Sequence, residues 1–100
     1  MRLELSRSAQ ADLDGIRDHS VEHFGAERTL LYLDAIEQAF RRILDHPEIG
    51  KPRPDLAERL RGMSVGVHRL FYRVDADTIV IVRILHKAMD AERRISAGLV

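Results

Sequence analysis

All three prolines of this chain lie in one stretch, HPEIGKPRPDL (His46–Leu56), and that stretch divides two halves written at different periods. Before it, apolar residues recur every three or four positions; after it, they alternate or run together. Such a chain must set a helical layer against a sheet, with the proline-rich segment turning one into the other.

The helical half opens with RLEL (Arg2–Leu5), whose alternation predicts a short first strand. Ser8 is the expected N-cap of a first helix over about 8–24, with Ala9, Leu13, Ile16, Ser20 and Phe24 along one stripe. Gly25 stands where a helix-terminating glycine belongs. The pattern restarts at Ala26, and Leu30, Leu33, Ile36, Phe40, Ile43 and Leu44 mark a second helix to about Asp45. So short a connection predicts an antiparallel helical hairpin.

Beyond the prolines, Arg59–Gly66, Val67–Val74 and Thr78–Leu85 read as strands, the last two joined by the turn formers Asp75–Asp77. The run IVIV marks the last strand as central and buried on at least one face. The tail DAERRISAGLV leaves a helical turn open. The expected architecture is α+β in a single domain over 1–100. It has a short N-terminal strand, an antiparallel helical hairpin, then a three-stranded, mainly antiparallel sheet, in the order β-α-α-β-β-β.

Several function classes fall away. With no cysteine there is no disulfide, thiolate metal site or cysteine nucleophile. The N-terminus carries no apolar core of a signal peptide, and no run of about 18 apolar residues occurs, so a cytoplasmic protein without membrane contact is expected. Neither GxGxxG, a P-loop nor GxSxG is present, and no cofactor is implied. His19 and His23 share a helix face, but the order HSVEH is not that of a metallopeptidase and no third ligand is evident, so no metal site is expected.

What remains is charge. Residues 1–50 hold six arginines against ten acids (−4), and 51–100 hold ten basic residues against six acids (+4). The basic half makes Arg59, Arg61, Arg69, Arg73 and Arg83 candidates for a contact surface, since guanidinium groups capture phosphate and carboxylate bidentately. His86 is the best lone acid–base candidate. Arg69, His86 and Lys87 together would suit RNA cleavage, as cation, base and acid, if they converge. The alternative is a structural hairpin with these groups on its surface.

HPEIGKPRPDL, LRGMSVGVHRLFYRV and IVIVRILHKAMD, in this order after LSRSAQADLDGI, resemble the ParE branch of the RelE/ParE toxins of bacterial type II toxin–antitoxin modules. The resemblance covers about residues 2–95. It implies a protein that stabilises the cleaved-DNA complex of DNA gyrase and is not an enzyme. It also implies neutralisation by a ParD-like antitoxin in a hetero-oligomer, with operator DNA met only through that antitoxin. RelE-type relatives instead cut mRNA on the ribosome, and this endoribonuclease reading is the alternative. Arg69 in HRLFY matches the sheet arginine of the RelE segment YRLVY. However, Ala88 stands where RelE-type nucleases carry an arginine, and no tyrosine follows it. His86 keeps the alternative alive, because YoeB-like relatives use a C-terminal histidine.

On this basis Leu13, Ile16, Arg59, Arg61, Arg69 and Tyr72 are expected to meet the antitoxin, whose helix suits a groove on the hairpin and whose extended segment suits the sheet. Arg83, His86, Lys87 and Met89 are expected to meet the target.

Overall fold

A computed structural model describes residues 1–99, with side chains through Ile95. Strand β1 (Arg2–Leu5) leads into a long helical element, α1 (Arg7–Asp45). Gly25 breaks α1 into two arms, residues 7–24 and 26–45, by adopting φ 84° and ψ 171°, a conformation that only glycine takes without strain. Thr29 Oγ1 lies 2.8 Å from the Gly25 carbonyl and 2.9 Å from the Ser20 hydroxyl, tying the arms together beside the break. The expected hairpin is therefore present, with one residue as its loop.

The N-cap is Ser6, not Ser8. Its hydroxyl accepts from Ala9 N at 3.0 Å and donates to Val82 O at 2.8 Å, so one side chain starts the helix and anchors it to the sheet. Ser8 has no comparable strand neighbour and lies exposed in the first turn.

The sheet has five strands in the order β1-β5-β4-β3-β2, where β2 is Lys51–Pro52, β3 Arg61–Val65, β4 His68–Asp75 and β5 Thr78–His86. β1 runs parallel to β5, and the other pairs are antiparallel. Two features depart from the sequence expectation. Lys51–Pro52, read as loop, pairs with Arg61 and Gly62 as an edge strand, the one place where a proline's missing N–H costs no ladder bond. β3 starts at Arg61 rather than Arg59, because Arg59 takes a positive φ of 62° in the turn before it.

A bulge shapes the centre of the sheet. Ile81 opposes Tyr72 and Arg83 opposes Phe71, leaving Val82 as the extra residue. The bulge switches the alternation of β5, so Ile79, Ile81 and Ile84 all face the hairpin. There they pack with Ala9, Ala39, Ile43, Leu70 and Tyr72. Val82 and Leu85 face the other way, against Phe71, Leu60 and Ile95. The IVIVRIL run is thus apolar on both sides because both sides are covered. The second cover comes from the loop around Leu56–Leu60 and from the last helix, α2 (Ala91–Leu99), in which Ile95 is fully buried. Asp90 starts that helix, its Oδ1 accepting from Arg93 N at 3.3 Å. Each fully buried Ile, Leu or Phe contributes about 1.5–3 kcal/mol on removal from water, so two covered faces stabilise this small chain more than one would.

Candidate functional site

β4 and β5 end together at His68 and His86, and the chain beyond β5 folds back into a tight rim. His86 Nδ1 accepts from Ala88 N at 3.0 Å, and Met89 N donates to the His86 carbonyl at 2.9 Å. Lys87 N donates to Val67 O at 2.9 Å, which fastens the rim to the turn between β3 and β4. His86, Lys87 and Met89 are all exposed, as is Val67, at 44% for Met89 and 53% for Val67. The rim therefore offers cationic and apolar groups side by side.

Behind the rim stands a group that the sequence did not single out. Tyr32, from the second arm of α1, places its hydroxyl 2.6 Å from His68 Nδ1, 3.0 Å from Val65 O and 3.2 Å from Val67 N. Gly66 makes this approach possible: a Cβ there would fall 2.5 Å from the Tyr32 ring. His68 in turn meets His86 edge-on, with ring centroids 5.4 Å apart. Burial, then the neighbouring His86, pushes the His68 imidazole below the ordinary histidine value. Burial also raises the Tyr32 phenol, keeping it protonated. No local pattern announces this cluster, because Tyr32 and His68 are 36 positions apart.

Arg83 is engaged behind the rim. Its Nε and one terminal nitrogen donate to the two Asp12 carboxylate oxygens, both at 2.8 Å, and Ile84 N donates to the same carboxylate at 2.9 Å. The hydrogen bonds to Asp12 hold the guanidinium above its usual pKa. Asp12 thereby caps the edge of β5 past the point where β1 ends, since β1 pairs only as far as Ile81.

The expected arginine layer is not one surface. Arg61 is the cross-strand neighbour of Tyr72, on the hairpin side, and its guanidinium donates to Gly50 O at 2.8 Å and Glu48 O at 3.2 Å. Arg69 pairs with Leu85 and leaves by the opposite face, exposed. Arg73 and Arg59 both turn to Asp75, at 2.8 and 3.8 Å. Register, more than composition, separates them. Arg69 and His86 consequently leave the sheet on opposite faces, His86 sharing the face of its partner His68.

Leu13 and Ile16 are half-buried against the core, and a groove between the arms is lined by Leu13, Leu33, Ile36 and Phe40 beside Asp14, Arg17 and Glu37. Tyr72, expected at a partner surface, is fully buried instead. Its hydroxyl donates to Pro47 O at 2.7 Å and accepts from Gly50 N at 2.8 Å, closing the proline-rich loop onto the sheet. His19 and His23 stack at 4.0 Å between centroids, and among the described residues no three His, Cys, Asp or Glu side chains gather to hold a metal. No described helix is long and apolar enough to cross a membrane.

By sequence and by structure, this helical hairpin on a five-stranded sheet with β1 parallel to β5 is that of the RelE/ParE toxin superfamily. Residues 3–91 match the family model described as the ParE toxin of the type II toxin–antitoxin system parDE, and the chain belongs to that family. Toxin ParE1 of Mycobacterium tuberculosis is 37% identical over 95 residues, covering 94% of this chain and 97% of that protein. Among solved structures, a chain of the chromosomal ParDE system from P. aeruginosa superposes with a TM-score of 0.74 at 30% identity, covering 86% of this chain and 95% of that one. A chain of the RelBE2 toxin–antitoxin complex from Mycobacterium tuberculosis follows at 0.61 and 26%, over 85% and 95%.

Proposed function

We propose that this ParE-family toxin acts without catalysis, binding DNA gyrase and stabilising its cleaved-DNA complex through the His86–Met89 rim. The observation that carries this reading is the separation of Arg69 from His86 by the sheet itself. General acid–base cleavage of RNA needs base, acid and cation within hydrogen-bond reach of one phosphate, and these two groups point away from each other. Ala88, where RelE-type nucleases have an arginine, removes a further cation. An exposed rim of His86, Lys87 and Met89 instead suits a contact surface. Arg83 supports it from behind through Asp12.

The neutralising partner in this reading is a ParD-like antitoxin in a hetero-oligomer, through which alone operator DNA is met, all in the cytoplasm. Its helix would lie on the hairpin over Leu13 and Ile16. Its extended part would wrap the sheet, since Arg61 lies on the hairpin side, Arg69 on the opposite face and Arg59 in the turn before β3. Tyr72 serves this surface only by shaping the Pro47–Gly50 loop beneath it.

Purified toxin added to gyrase and relaxed plasmid tests the reading. Supercoiling should stop at a small molar excess and resume when antitoxin is added. Full supercoiling at large excess would refute it. The exposed pair His86 and Lys87 favours one rival, a ribosome-dependent endoribonuclease, and cut transcripts in arrested cells would establish that rival.

A further inference from the structure

The rim rests on the β3–β4 turn, and the turn rests on one tyrosine. Tyr32 bonds Val65 O and Val67 N; Val67 O holds Lys87 N; His68, on the same tyrosine, lies edge-on to His86; and His86 Nδ1 holds Ala88 N. We propose that Tyr32 and His68 are positioning residues that keep the His86–Met89 rim in its contact shape, and that protonation of His68 releases it. As regulation of the contact surface, this rests on the gyrase reading, but the clasp itself is a property of the toxin alone.

The proton count makes the clasp sensitive. Tyr32 has one hydroxyl proton and two acceptors in reach, Val65 O and His68 Nδ1. In the neutral tautomer with Nδ1 unprotonated, the hydroxyl proton serves the short 2.6 Å contact to Nδ1, while Val67 N donates to the tyrosine oxygen. When His68 takes up a proton, Nδ1 becomes a donor, the hydroxyl must turn to Val65 O, and a cation sits half-buried against the edge of His86. The ionisable groups that act on His68 are Tyr32 from the second arm, which it bonds, Asp12 and His19 from the first, and His86 from β5. Asp12, the one anion among them, is already paired with Arg83. The new charge therefore lacks a free counter-ion and sits against the His86 ring that holds the rim closed.

Amide hydrogen exchange on the full chain, without gyrase or antitoxin, tests the clasp. After correction for intrinsic rates, Lys87 and Ala88 should lose about tenfold in protection between pH 7.5 and 5.5, while β4 interior amides hold. In His68→Asn, which keeps a polar group toward Tyr32 but cannot be protonated, the loss should vanish. Equal loss in His68→Asn, or none in the wild type, would overturn the proposal. Should that variant fail to fold, histidine NMR titration of the wild type decides. The Lys87 and Ala88 amide shifts must follow the His68 curve, and shifts that follow another histidine would overturn it. None of these readouts depends on gyrase, so a failed supercoiling assay leaves them standing.

Discussion

Arg83 and Asp12 form a bidentate pair across 71 positions of sequence, with side chains only 16% and 14% exposed. The same carboxylate accepts the Ile84 amide, so it joins helix, strand edge and guanidinium at one point. Removing one partner of such a pair strands the other's charge away from water. Asp12→Ala should therefore lower stability by about 3 kcal/mol, and Asp12→Asn, which still accepts from Ile84, by distinctly less. Urea unfolding at pH 7 measures both. A loss for Asp12→Ala no larger than that of an exposed helix position such as Asp34→Ala would show the pair to be incidental.

The chain's two tyrosines do parallel work: each hydroxyl closes a turn and each ring occupies the space of a glycine Cβ. At Gly50 a Cβ would lie 2.6 Å from the Tyr72 ring, and at Gly66 2.5 Å from that of Tyr32. Tyr72→Phe leaves Gly50 N and Pro47 O without their partner and should cost about 1–3 kcal/mol. Gly50→Ala should cost at least as much, and its penalty should shrink in a Tyr72→Leu background. Independent, additive effects in that double-mutant cycle would contradict the packing described.

Much of this fold was legible in the sequence, and what was not has a common cause. The hairpin break at Gly25, the strand pattern and the segregation of prolines are local signals, each carried by residues close together in the chain. Ser6 is not distinguishable from Ser8 locally, because its second partner, Val82, lies 76 positions away. The bulge at Val82 flips the register of the last strand, so simple alternation cannot account for a β5 that is apolar on both faces. The site suffered most. No local pattern sets Tyr32 or Asp12 apart from other helix residues, and only the sheet brings His68 and Arg83 to them.

Stability should depend on pH through His68. Its neutral form is favoured in the native state, so the native protein binds fewer protons than the unfolded chain once pH falls toward the ordinary histidine value. The stabilisation is complete above about pH 6.5 and is lost as pH drops from there toward the depressed native value. Urea midpoints at pH 7.5 and 5.5 should therefore fall more for the wild type than for His68→Asn. A wild-type midpoint that rises on acidification relative to the variant would give the opposite sign.

Arg69 and Arg61 separate two contributions to antitoxin binding. Arg69→Glu reverses an exposed charge outside the core and should weaken antitoxin binding by about tenfold or more at low salt, with unchanged thermal stability. Arg61→Glu also breaks the bonds to Gly50 O and Glu48 O, so it should lower both affinity and stability. Calorimetric titration with antitoxin, beside thermal melts, distinguishes them. Unchanged affinity in both would remove the arginines from that interface.

The central claim concerns what the rim does to gyrase. Purified gyrase with plasmid and toxin, quenched with detergent and protease, should yield linear DNA from trapped cleaved complexes. Lys87→Glu combined with Met89→Ser should abolish that product while antitoxin binding and folding persist. Linear DNA from the double variant at wild-type level, or none from the wild type, would contradict the account.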